Sequence, residues 1–128
     1  MSSPLEGVKV LDLSRMLPGP YATLVMADMG ATVDKVEEPG SGDFTRLAPP
    51  MKGGTSALFG GLNRNKRSLA LDLKSPQGVA ILKGLVKHYD VLVESFRPGV
   101  MERWGCGYEE LSKENQRLIF CSISGYGQ

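Results

Sequence analysis

The 128 residues suit one domain, and 15 Lys and Arg against 14 Asp and Glu leave no net field to draw the chain to nucleic acid or an anionic membrane. Apolar residues make up 41% of the chain, enough for an ordinary core, but no apolar run nears the roughly 20 residues of a membrane span. Met1–Glu6 lacks the pattern of a secretory signal and two cysteines are too few for a disulfide framework, so a cytoplasmic protein with a small-molecule partner is expected.

Val8–Leu13, mostly apolar, predicts a first strand covered on both faces. The turn Ser14–Pro20 leads into a helix over Pro20–Met29, with Tyr21, Ala22, Val25, Met26 and Met29 as its inward stripe and Gly30 at the left-handed position that closes it. Thr32–Glu37 alternates and predicts a second strand. Glu38–Gly54, rich in Pro, Gly and Ser, reads as a long loop, and loops of that length in compact domains are usually functional. Ser56–Leu62 predicts a short helix.

The chain is organised around Asn63–Lys74, NRNKRSLALDLK. Arg64, Lys66 and Arg67 form a basic cluster that reads either as a solvated face or as a site for a small anion. Leu69, Leu71 and Leu73 then alternate with Ser68, Ala70 and Asp72, which predicts a third strand ending at Lys74. Ser75 as N-cap and Pro76 at the first position open a helix to His88, with Val79, Leu82, Leu85, Val86 and Tyr89 facing inward. Asp90–Glu94 is a fourth strand. Pro98–Gly105 and Tyr108–Asn115 are short helices, the second with Leu111 inward, and Leu118–Ile123 is a fifth, apolar strand. The alternation predicts an α/β domain: a Rossmann-like, mainly parallel sheet with flanking helices. The last residues, Ser124–Gln128, read as a loop leaving a strand, so the domain is expected to be truncated.

Ligands of such sheets bind beyond the carboxyl ends of the strands. The first turn, Leu17-Pro18-Gly19-Pro20, has one glycine and two residues without N–H, which argues against a pyrophosphate cradle for NAD; it reads as a rigid wall or as a plain structural turn. After the fourth strand, Phe96 can offer a flat face to a base, and Arg97 and Arg103 can grip phosphate in bidentate fashion; the plainer reading is a core phenylalanine with surface arginines. His88 suits a helix C-terminus, Ser122 and Ser124 have no nucleophile-elbow context, and Asp12 and Asp72 have no evident carboxylate partner. Cys106 and Cys121 read as fillers. No residue stands out as nucleophile or acid–base group.

Several segments together resemble the N-terminal part of a family III CoA-transferase. They are Pro4–Leu13 (PLEGVKVLDL), Pro18–Thr23 (PGPYAT), Ala27–Gly30 (ADMG), Asn63–Lys74, Val93–Gly107 (VESFRPGVMERWGCG) and Cys121–Gln128 (CSISGYGQ). That family includes formyl-CoA and carnitine CoA-transferases and the α-methylacyl-CoA racemases. The resemblance implies a coenzyme A thioester as substrate with no permanently bound cofactor, a carboxylic acid as acceptor, and an interlocked homodimer for the full-length protein. It implies transfer through mixed anhydrides on an aspartate, or, in the racemase branch, a His and Asp pair; both lie downstream of the motif ending at Gln128, so no catalytic residue is expected here and the chain alone should be inactive. By position it implies CoA contacts at Leu17, Pro18, Glu38, Leu71, Asp72, Leu73, Lys74, Ser95, Phe96, Arg97 and Arg103. Glu38 stands where the family commonly has arginine, and Trp104 where it often has Met or Leu. A non-catalytic nucleotide-binding module is the alternative from another class.

Overall fold

A computed structural model describes residues 2–128. Five strands form a parallel sheet: β1 (Lys9–Asp12), β2 (Thr32–Glu37), β5 (Lys66–Ala70), β6 (Val91–Glu94) and β7 (Ile119–Ser122). Their spatial order is β5-β2-β1-β6-β7, and every pairing is parallel. Strand order therefore reverses between β1 and β6, which opens a crevice at their carboxyl ends. The α/β fold is as the sequence predicts.

Helices cover both faces. On one lie α3 (Pro76–Leu85), α4 (Val100–Arg103) and α5 (Tyr108–Glu114), packed over Leu11, Leu13, Val36 and Leu92 with Val79, Leu82, Met101 and Leu111. As predicted, α3 starts at Ser75, whose Oγ accepts the Gly78 N–H at 3.0 Å, and Pro76 sits in its first turn. Gly78 is required there, because a Cβ would overlap the Asp72 carbonyl. On the other face lie α1 (Pro18–Asp28) and α2 (Ala57–Asn63), the latter capped by Ser56. Among the described residues no helix is long and apolar enough to cross a membrane.

The structure corrects the sequence in several places. Helix α1 buries Gly19, Pro20, Thr23, Leu24 and Ala27, and Tyr21, Val25 and Met29 point outward, Tyr21 at 58% exposure. The helix is apolar nearly all round, so periodicity could not choose its inner face. The third strand of the sheet, β5, runs from Lys66 to Ala70, so the basic cluster enters the strand instead of preceding it. Leu71 and Leu73 are buried, but beyond the strand, in a turn where Asp72 Oδ1 accepts the Lys74 N–H at 2.9 Å. Strand β2 does not alternate between core and solvent: Asp34, Lys35 and Glu37 are buried with its valines. Strand β7 is an edge strand with Ile119 63% exposed and Cys121 exposed. The long loop holds a 3₁₀ turn (Phe44–Leu47) and a hairpin of β3 (Met51–Lys52) and β4 (Thr55–Ser56).

Candidate functional site

Beyond the carboxyl ends of β1, β6 and β7 lies a cleft of ≈ 760 Å³. Its walls are the first βα turn (Arg15, Met16, Pro18), Phe44 of the 3₁₀ turn, the loop Ser95–Pro98 after β6, and Ile123–Gly125 after β7. Arg15 and Arg97 line it and no carboxylate does. Among the described residues, neither arginine has a carboxylate partner within ion-pairing distance, so both are available to an anion.

The loop after β6 is shaped from beneath. Glu94, nearly inaccessible, accepts the Phe96 N–H at 2.8 Å on Oε2 and the Ser122 hydroxyl on Oε1. Ser95 Oγ accepts the Arg15 N–H at 2.9 Å, which joins this loop to the first turn. The Arg15 guanidinium carbon lies 4.8 Å from the Phe96 ring centroid and 5.9 Å from that of Phe44, and Trp104 meets Phe96 edge-on at 5.1 Å. One face of Phe96, which the sequence offers to a base, is thus covered by Arg15. A guanidinium laid on an aromatic face keeps its N–H fork pointing outward, which suits phosphate.

A small groove adjoins the cleft and shares Arg15 and Phe96 with it; Val36–Glu38, Leu71–Lys74 and Trp104 line the rest. Most of the residues singled out by sequence therefore fall in one of two connected depressions: Pro18, Ser95, Phe96 and Arg97 in the cleft, and Glu38, Phe96 and Leu71–Lys74 in the groove. Leu17 is exposed at the start of α1, outside both. Arg103 is exposed on α4 with its Nη1 against Gly99, just behind the Arg97 loop. Strands β5 and β6 are three strand spacings apart, roughly 14 Å; Lys74 and Arg97 thus share an edge of the sheet without touching. Lys74 Nζ pairs with Glu38 Oε1 at 2.5 Å, and this hydrogen bond and charge hold the Glu38 carboxyl below its ordinary range.

The basic cluster is engaged internally. Arg64 pairs with Asp28 at 2.5 Å, Arg67 forks onto Asp34 at 2.6 and 2.7 Å, and Lys66 is buried against Asp12 at 3.0 Å. Asp12 also accepts hydrogen bonds from the Thr23 hydroxyl and from Ser14. Burial lowers the Lys66 ammonium pKa, opposed by Asp12. Lys35 Nζ pairs with Asp43 at 2.9 Å, and Arg46 forks onto Glu37 at 2.6 and 2.7 Å. Burial pushes the Glu37 carboxyl up, but Arg46, Ser68 and the Asp43 N–H outweigh it, and the net shift is down. No group of His, Cys, Asp and Glu among the described residues is arranged to hold a metal.

Arg15 is the residue the sequence reading missed. The signal was there: it is the only cation in the first βα turn, the turn that borders the crevice.

Comparison with known proteins gives one picture. The chain is 50% identical over 126 residues to the human succinyl-CoA:glutarate CoA-transferase, covering 98% of this chain and 29% of that protein. It is 48% identical to the acetyl-CoA:oxalate CoA-transferase of Acetobacter aceti, covering 98% of this chain and 32% of that one. Its fold matches the crystal structure of a CAIB/BAIF family protein from Brucella suis with a TM-score of 0.92 at 39% identity, over 99% of this chain and 35% of that one. The chain thus spans about a third of the length of these relatives. The family model described as CoA-transferase family III matches residues 5–128, and the chain belongs to that family.

Proposed function

We propose that residues 1–128 form the CoA-binding α/β part of an enzyme that transfers coenzyme A between carboxylic acids. The observation that carries this reading is the cleft at the switch point, where Arg15 and Arg97 lie without carboxylate partners. Coenzyme A brings a pyrophosphate and a 3′-phosphate, and two such arginines suit them. Lys74 and Arg103 add positive charge along the same edge, and Glu38 offsets part of it. Pro18, Ser95, Phe96 and Leu71–Leu73 supply the walls against which the rest of the molecule lies. CoA arrives as a substrate thioester, with no resident cofactor in this reading.

In this reading the chemistry belongs to an aspartate elsewhere in a longer, interlocked, homodimeric cytoplasmic protein. Its carboxylate attacks the thioester carbonyl, the CoA thiolate leaves, and a mixed anhydride forms. The thiolate then attacks the aspartyl carbonyl and releases the donor acid. The acceptor carboxylate attacks the resulting aspartyl thioester, expelling the thiolate, which finally takes the new acyl group. The buried carboxylates of this chain are otherwise engaged: Asp12, Asp34, Glu37 and Asp43 are ion-paired, and Glu94, which has no ion pair among the described residues, has its oxygens occupied by the Phe96 N–H and the Ser122 hydroxyl. The CoA-transferases among the relatives favour transfer over the racemase alternative.

The test is calorimetric titration of the protein with CoA and with pantetheine, which lacks the nucleotide. Arg15→Ala and Arg97→Ala should each weaken CoA binding about tenfold to a hundredfold, the range for one charge-assisted hydrogen bond, and leave pantetheine binding unchanged. Equal losses for both ligands, or none for CoA, would place the phosphates elsewhere.

A further inference from the structure

Lys35 is only 2% exposed and lies in the middle of β2. Its ammonium donates to the Ser14 carbonyl at 2.9 Å and pairs with Asp43 Oδ2 at 2.9 Å. Each of these partners directly precedes a residue of a different wall of the cleft. Ser14 precedes Arg15, and its N–H donates to Asp12 Oδ1 at 3.0 Å. Asp43 precedes Phe44, and its Oδ1 accepts the Thr45 N–H at 2.9 Å and the Thr45 hydroxyl at 2.8 Å, which caps the 3₁₀ turn.

The chain between β2 and that turn is held by a backbone hydrogen bond from the Gly42 N–H to the Glu38 carbonyl at 3.0 Å, which does not reach Phe44. It contains Gly40 and Gly42, both at positive φ, and runs as an irregular loop. Glu37 gives it a second anchor, accepting the Asp43 N–H at 3.1 Å and the Arg46 fork. But among the described residues Glu37 has no hydrogen bond to the Ser14–Arg15 turn, and Lys35 is the one side chain hydrogen-bonded or ion-paired to the residues that precede both walls.

We propose that Lys35 is a positioning residue for the cleft, setting the separation of Arg15 from Phe44 through its two contacts. Lys35 does not line the cleft. It acts on binding only through the walls, much as a mutation far from a reaction centre can cost about a hundredfold in rate by shifting the working groups about 1 Å. For the identity of the ligand the proposal rests on the CoA reading above.

The experiment has a ligand-free arm and a ligand arm. Native hydrogen exchange in Lys35→Met should accelerate about tenfold or more at the amides of Arg15 and Thr45 and stay unchanged at Leu92 in β6. Glu37→Gln should accelerate Thr45 and spare Arg15. Asp43→Asn, which keeps the side-chain shape, should repeat the Lys35→Met pattern more weakly and serves if Lys35→Met does not fold. In the ligand arm, Lys35→Met should weaken CoA binding about tenfold, and Lys35→Met/Arg15→Ala should bind no worse than Arg15→Ala alone. A core variant of similar melting temperature, Leu111→Ala, should leave CoA binding unchanged. Uniform acceleration throughout the protein, no acceleration at Arg15 in either Lys35→Met or Asp43→Asn, or additive losses in the double variant would overturn the proposal. If the unaltered protein fails to bind CoA, the functional reading falls, and the exchange arm still decides the role of Lys35.

Discussion

Lys66→Met should be among the most damaging single changes in this chain, although the residue sits in a basic run that resembles a solvated loop. Its side chain is 1% exposed and that of Asp12 is 0%. Nζ lies within 3.0 Å of Asp12 Oδ2 and Asn63 Oδ1, and within 2.8 Å of Pro20 O and Thr23 Oγ1. Removing one partner of a buried pair costs about 3–5 kcal/mol, because the other charge is left in a poor solvent. Here Asp12 keeps its bonds from Thr23 and Ser14, which favours the lower end, about 3 kcal/mol. A small domain has only about 5–15 kcal/mol in all. At about 4 °C per kcal/mol for a chain of this size, the melting temperature should fall by about 12 °C. Removing both charges in Asp12→Asn/Lys66→Met should recover about 2 kcal/mol of the summed single losses, as expected for groups in direct contact. Urea unfolding of the four proteins at constant m-value measures this cycle. A loss below about 1 kcal/mol for Lys66→Met, or strict additivity, would refute the burial argument.

Three further outcomes are expected. Arg103→Ala in the full-length enzyme should raise KM for CoA thioesters and spare turnover, and Glu38→Arg should lower KM, more at low salt than at high; steady-state constants at two salt concentrations decide, and a salt-independent effect counts against the placement of the phosphates. The carboxyls of Asp34, Glu37 and Asp43 are held below their ordinary values of 3.8, 4.5 and 3.8. A depressed folded pKa stabilises above the unfolded value and is lost as pH falls through the folded one. Stability should therefore drop below about pH 4.5, and Glu37→Gln should flatten that fall in urea midpoints measured against pH. Of the two cysteines, Cys121 is exposed, whereas burial pushes the Cys106 thiol up to about 11; a thiol reagent at pH 8 should modify Cys121 alone until the protein is unfolded, and early reaction of Cys106 would contradict its packing.

The sheet and most helices were legible because their signals are local. Ser75 and Pro76 open α3, Gly30 closes α1 at positive φ, and the alternation of strands with amphipathic segments fixes the parallel class. What was not legible is long-range. Lys66 looks like a surface residue until Asp12, 54 positions away, is brought beside it, and Lys35 until the loop after β2 folds Asp43 back onto it. Arg15 gains meaning only when β6 delivers Phe96 beneath it. The inner face of α1 could not be read because its buried Thr23 is there to bond Asp12, and a polar residue chosen for a buried carboxylate defeats a hydrophobicity pattern.

The charge layout explains how a chain of formal net charge +1 can present the anion site proposed above. Four buried carboxylates, Asp12 on β1, Asp34 and Glu37 on β2 and Asp43 at the start of the 3₁₀ turn, each have their own cation in Lys66, Arg67, Arg46 and Lys35 respectively. Each pair is neutral at a distance, so it adds little to the field in the cleft. Glu94 is the exception, and its oxygens are occupied by the Phe96 N–H and the Ser122 hydroxyl. Arg15 and Arg97 are the cations that line the cleft, and Glu38 in the adjoining groove lies close enough to Arg15 to feel its charge. Arg15 is held in place by the Phe96 ring, not by a carboxylate. An aromatic face restrains a guanidinium without using its N–H donors or cancelling its charge, so the group stays ordered and still able to bind phosphate.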